Sequence, residues 1–146
     1  MRENIERILK EEGVFVTTTT GSSMYPMLRN RRDTIIIEPC EGRLKKYDVP
    51  LYRRGSAYVL HRIVEVRPDS YVICGDNCLC REYGVTDEQI IGVLTGFYRG
   101  NKLIHMESIG YRAYVRIWCA VYPARCVWME MRRFAGSVFR RMTKKQ

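Results

Sequence analysis

The chain has 146 residues, 46% of them hydrophobic, a length and composition that fit one folded domain with a modest core. Its net charge of +9 is unevenly placed: residues 1–110 hold 16 Lys and Arg against 15 Asp and Glu, whereas residues 111–146 hold nine against Glu130 alone. A near-neutral body with a basic tail argues against a general nucleic-acid-binding domain and for a tail with a partner of its own.

In chain order, Ile5, Ile8 and Leu9 recur at helical spacing among charges, which predicts a short helix over 3–12 that stops at Gly13. Val14 to Thr20 is β-branched and aromatic and reads as a strand. It delivers Ser23 at its exposed end, before Pro26 interrupts regular pairing. Further strands are predicted over 34–38, 49–53, 57–66 and 70–74, and a hairpin joins 93–98 to 102–106 through Gly100-Asn101. Alternation along 57–66 puts His61, Ile63 and Glu65 on one face and Leu60, Arg62 and Val64 on the other. The Arg67-Pro68-Asp69-Ser70 turn folds the next strand back and brings Asp76 toward the imidazole.

Three residues in this order, Ser23, His61 and Asp76, are the parts that acyl transfer needs. A serine hydroxyl is a poor nucleophile until a positioned base accepts its proton and an acid orients that base. The segments that carry them are Gly21-Ser22-Ser23-Met24-Tyr25-Pro26, Leu60-His61-Arg62-Ile63-Val64 and Gly75-Asp76-Asn77. Together they resemble the successive boxes of the signal peptidase I family, over about residues 13–98. A histidine base resembles the endoplasmic-reticulum and archaeal-like branch.

The resemblance implies a mainly β, LexA/signal peptidase-like fold, to which the periodicity adds a short N-terminal helix and amphipathic C-terminal helices. The charge distribution divides the chain into a body over 1–110, the catalytic domain on this resemblance, and a basic amphipathic helical tail over 111–146. The resemblance also implies a serine endopeptidase that takes an extended peptide or precursor protein and cuts after Ala, Gly or Ser. That branch carries a second acidic residue soon after the Gly-Asp-Asn motif, and here it is Glu82, a departure from the family. Two turns that usually read Gly-Asp are Arg32-Asp33 and Tyr47-Asp48 here, so they either avoid positive φ or bear strain.

In the expected mechanism, neutral His61 takes the Ser23 proton and passes it to the leaving amine. Asp76 is the first choice to orient the imidazole and Glu82 the second. The oxyanion would be met by the Ser23 N–H and the Ser22 hydroxyl, since the position two before the nucleophile is Gly21. Met24 and Pro26 are candidate substrate contacts, although a methionine is as readily core filling. Activity should rise with pH near the histidine value of about 6.5.

In the tail, Tyr111, Tyr114, Val115, Trp118, Val121 and Tyr122 recur at steps of three and four. Pro123 then interrupts, and Val127, Trp128, Met131, Phe134 and Val138 recur likewise. Arg112, Arg116, Arg125, Arg132, Arg133, Arg140 and Arg141 are interspersed, which suits an anionic membrane surface. The other reading packs the apolar stripe on the body and leaves the arginines in water. With no apolar run near 20 residues and no apolar leader, the sequence places the protein inside the cell, at most peripheral at the membrane.

Six cysteines, among them Cys74, Cys78 and Cys80 around the Gly-Asp-Asn motif, read as free thiols, with a redox brake at Cys78 or Cys80 as a further reading. Their spacing matches no familiar zinc pattern, so no metal or cofactor is expected, and His105 reads as structural. A function of a different class also fits, namely a non-catalytic binding module on a peptidase scaffold, recruited through its tail.

Overall fold

A computed structural model describes residues 2–143 and is mainly β. The first helix, α1 (Arg2–Glu12), buries Leu9 and ends where Gly13, at a φ of 71°, donates its N–H to the Leu9 carbonyl at 3.1 Å. Glycine adopts that left-handed cap without steric cost. The strands follow as β1 (Phe15–Thr18), β2 (Thr34–Glu38), β3 (Pro50–Arg54), β4 (Ala57–Leu60), β5 (Arg62–Val66), β6 (Tyr71–Cys74), β7 (Glu82–Val85), β8 (Ile90–Arg99) and β9 (Lys102–His105). Two helices come last, α2 (Ile109–Ala120) and α3 (Tyr122–Thr143).

One antiparallel sheet runs β1-β2-β8-β3-β4, with β9 also on β8, and the other is β5-β6-β7. The long β8 organises the first sheet. It pairs with β2 from Thr34↔Tyr98 to Glu38↔Val93, with β3 at Pro50↔Val93 and with β9 at Gly96↔His105. Register shifts at Ile36/Ile37 and Leu51/Tyr52 increase the local twist, and the sheet curls. Leu44, Tyr52, Ile63, Tyr71, Ile73 and Val85 form a buried cluster that draws on both sheets.

The segment predicted as one strand over 57–66 is two, and they belong to different sheets. His61 lies between them, and His61, Arg62 and Ile63 are consecutively buried. Simple alternation fails there because a residue at the corner between two sheets has protein on both sides. β7, which the sequence reading did not anticipate, pairs with β6 through Ile73↔Glu82 and Tyr71↔Val85. Its short length and Gly84, at a φ of 75°, hide it from a pattern search.

The two aspartate turns resolve differently. Tyr47 takes a φ of 82°, so that turn bears the strain, whereas in the other it is Arg31, at 56°, that turns left-handed rather than Arg32. Each such non-glycine residue costs roughly 1–2 kcal/mol. Both aspartates cap backbone in return: Asp33 accepts the Arg29 N–H at 3.0 Å and Asp48 the Lys45 N–H at 2.7 Å.

The chain divides into two compact units, Met1–Arg112 and Ala113–Gln146. Within the first, one buried side chain joins several segments. The Arg62 guanidinium donates to both Asp76 oxygens at 2.7 Å, to the Tyr47 carbonyl at 3.1 Å, to the Tyr111 hydroxyl at 2.7 Å and to Met27 Sδ at 2.9 Å. Burial pushes the guanidinium pKa down, but the Asp76 hydrogen bonds and charge more than offset it, so Arg62 is held firmly cationic.

Arg62→Met leaves the Asp76 carboxylate buried without its cation and is expected to lower the unfolding free energy by about 3–5 kcal/mol. Arg62→Lys, lacking the planar fork, recovers only part of that loss. Urea titration reads both, and a wild-type midpoint for Arg62→Met would contradict the assignment.

Candidate active site

Ser23 follows β1 in a tight turn in which Tyr25 donates its N–H to the Ser22 carbonyl at 3.1 Å and Leu28 to that of Met24 at 2.9 Å. Thr19 anchors the turn by accepting the Arg31 N–H at 2.8 Å and donating its hydroxyl to the Arg29 carbonyl at 2.9 Å. Met24, Met27 and Leu28 point inward and are buried, while Ser23 is half-buried and Ser22 exposed. Met24 is thus only 5% exposed and fills the core, while Pro26 is half-buried after a cis bond from Tyr25.

The Gly75-Asp76-Asn77 loop is fastened to this turn. The Asn77 N–H donates to the Ser23 carbonyl at 2.7 Å, and the Asn77 side-chain amide donates to the Ser22 carbonyl at 3.3 Å. Gly75 permits the approach: a Cβ at that position would stand 2.6 Å from Cys78 Sγ, 2.8 Å from the Ser23 carbonyl oxygen and 3.1 Å from His61 Nε2. Ser23, His61 and the Gly-Asp-Asn loop therefore converge on the space in front of Gly75.

The acid hydrogen-bonded to His61 is Glu82, whose Oε1 lies 3.2 Å from Nδ1. This corrects the expected order of the two acids. Asp76, 5% exposed, gives both oxygens to the fork of Arg62, and its charge acts on the imidazole less than burial, Glu82 or Arg54 do. Because Glu82 accepts, Nδ1 carries the proton and Nε2, on the Gly75 side, presents its lone pair.

Two residues that the sequence reading passed over hold this arrangement. Tyr52 and Arg54 stand two apart on β3 and so share a face. The Tyr52 hydroxyl lies 3.3 Å from His61 Nδ1, and Arg54 donates to Glu82 Oε1 at 2.8 Å. Burial first, and then the Glu82 carboxylate, push the Tyr52 hydroxyl pKa well above its ordinary range, so it stays a donor. The signal for Tyr52 lies in the register: Leu51↔Leu60 and Tyr52↔Val59 make it a diagonal neighbour of His61.

His61 is 6% exposed, and burial lowers its pKa below 6.5. Glu82 opposes that shift through its charge and hydrogen bond, and Arg54 adds to it. His61 is therefore neutral at neutral pH. Burial raises the pKa of the Cys78 thiol, so the cysteine beside the site is not an activated thiolate. No cluster of three or more His, Cys, Asp or Glu that could hold a metal occurs among the described residues, and His105 is exposed on β9.

No protein-family model and no curated protein matches the chain.

Glu82→Gln removes an interaction that raises the His61 pKa, so His61 should titrate at lower pH than in the wild type, whereas Arg54→Gln should move it higher. With two histidines in the chain, the imidazole proton resonances report this directly, and shifts of the same sign would refute the arrangement. Gly75→Ala must force the loop from the serine turn, with an expected cost of about 1–3 kcal/mol in stability and a loss of any activity that needs the two together.

Proposed function

We propose that the chain is a serine endopeptidase in which Ser23 is the nucleophile, His61 the general base and Glu82 the acid that orients it. The observation that carries this reading is the convergence at Gly75, where the Ser23 backbone and an unprotonated His61 Nε2 meet while Nδ1 is anchored from behind. A merely structural histidine at a sheet corner has no need of a buried tyrosine and an arginine-held carboxylate on its far nitrogen.

Ser23 Oγ attacks the scissile carbonyl carbon as its proton passes to His61 Nε2. That proton then goes to the leaving amine as the C–N bond breaks, giving an ester on Ser23. Water attacks the ester carbonyl and loses a proton to Nε2, which returns it to Ser23 Oγ as the acyl C–O bond breaks, releasing the new carboxyl terminus and regenerating the hydroxyl. The Glu82 carboxylate stabilises the imidazolium in both halves. The Ser23 N–H and the exposed Ser22 hydroxyl are the candidate donors to the oxyanion.

Substrate is proposed to add as an extended strand. β1 ends the order β1-β2-β8-β3-β4, so one of its edges has no strand partner among the described residues, and it leads straight to Ser23. Val16, 54% exposed, lies on this strand. Backbone pairing there would hold a peptide irrespective of most side chains, leaving small residues before the cut to be selected near the nucleophile.

Peptides with Ala, Gly or Ser before the cut are expected to be hydrolysed by the wild type, with kcat/KM rising with pH along an acid limb below 6.5. Ser23→Ala and His61→Ala should each cost on the order of 10³-fold or more, and Glu82→Gln roughly 10²- to 10⁴-fold. A folded wild type that is silent on a broad peptide library, or an active Ser23→Ala variant, overturns the proposal.

A further inference from the structure

We propose that the face of residues 117–134 is a docking surface for an anionic phospholipid bilayer, lying in the headgroup layer rather than crossing it. The inference is independent of the peptidase reading. α2 and α3 are separated only at Val121, and helical bonding passes through the break: the Val121 N–H donates to the Ile117 carbonyl and the Arg125 N–H to the Val121 carbonyl, each at 3.0 Å. Pro123 removes one N–H from the ladder and favours a bend there, but the Val121 and Arg125 bonds bracket it, so the residues on both sides are read in one helical phase.

At 3.6 residues per turn, Ile117, Val121, Trp128 and Met131 then fall on one stripe, with Val127 and Phe134 along its margin. All six are exposed, from 42% for Val121 to 72% for Phe134. Contiguous exposure of this kind marks an interaction surface rather than ordinary surface variation.

Beside the stripe, arginines lie on tryptophans. The Arg125 guanidinium stands 3.6 Å from the Trp118 ring centroid and that of Arg132 4.7 Å from the Trp128 ring centroid. Stacking of this sort keeps a cation at the same depth as an indole, the depth at which tryptophan settles in a lipid interface. Residues 113–146 also hold eight Lys and Arg against the single Glu130.

Charge complementarity selects the occupant. Nucleic acid would meet the cations and leave six large apolar side chains in water. An apolar protein groove would cover the stripe and leave the excess positive charge unmatched. An anionic bilayer meets both, with apolar groups in the acyl boundary and arginines among the phosphates. No described helix is long and apolar enough to cross a membrane, which fits a surface-lying segment.

The test is flotation of the full chain with vesicles of phosphatidylcholine alone and with added phosphatidylserine. Binding should be at least about tenfold tighter to the anionic vesicles, and weaker at high salt. The double variant Trp128→Glu, Met131→Glu should lose at least about tenfold in affinity while circular dichroism shows the helices and body intact. In a Trp118→Phe background, Trp128 fluorescence should shift to the blue on anionic vesicles. Equal binding to both vesicle types, no flotation of the intact chain, or salt-sensitive retention on nucleic acid without vesicle binding would each overturn the proposal.

Discussion

The architecture of the site depends on a buried ion pair that takes no proton in the proposed chemistry. Arg62 and Asp76 are almost wholly withdrawn from water, with side-chain exposures of 1% and 3%. Desolvating two such charges costs several kcal/mol per ion, and their attraction repays it only where the remaining polar atoms find partners. Here the carboxylate is gripped by two parallel N–H groups, and the guanidinium's other donors reach the Tyr47 carbonyl, the Tyr111 hydroxyl and Met27 Sδ. These partners come from separate parts of the unit, so the pair fixes their mutual register. Met27 belongs to the turn that carries Ser23, and Asp76 to the loop whose Asn77 N–H holds the Ser23 carbonyl. A slip of either segment would strand a buried charge.

That arrangement explains why the chain uses two acids near one histidine. Asp76 gives both its oxygens to Arg62 and acts on the imidazole through its charge, as the last and smallest of the influences on the ring. Glu82, with a quarter of its side chain exposed, sits at the start of β7 and reaches Nδ1 from the next strand pair. Its Oε1 is shared with Arg54, so the carboxylate is shielded by a cation while it orients the ring. The opposing influences leave burial dominant, and His61 is depressed rather than raised. In the proposed chemistry such an imidazole accepts a proton without a prior deprotonation step at neutral pH, at the cost of lower intrinsic basicity.

The order of motifs made Ser23, His61 and the Gly75-Asp76-Asn77 loop legible in the sequence, because each carries a distinctive residue type in a turn or beside a strand. β2 was legible to the residue, since Thr34-Ile35-Ile36-Ile37 is an uninterrupted β-branched run closed by the charged Glu38. The partner of Asp76 was not legible. Chain order brings the Gly-Asp-Asn loop near both His61 and Arg62, adjacent residues, and only the turn from one sheet into the next decides which of them meets the carboxylate. Tyr52 and Arg54 were hidden for a related reason. Their role depends on cross-strand register to His61 and on β7, a strand of four residues containing glycine. Residues that act through a register shared by two sheets leave no local periodicity.

The position of His61 between β4 and β5 turns this loss of pattern into a functional device. A histidine within a continuous strand would have one ring edge toward its own sheet and the other toward solvent or a single core layer. At the passage from one sheet to the other, its two nitrogens face different structures: Nδ1 toward Tyr52 of the first sheet and Glu82 of the second, Nε2 toward the Gly75 loop and the serine turn. The donors and acceptors on each side are thus set by separate elements, and the tautomer that leaves Nε2 free is imposed from behind. Preorganisation of a base needs rigid elements on both its faces, and a corner between two sheets supplies them without a long loop.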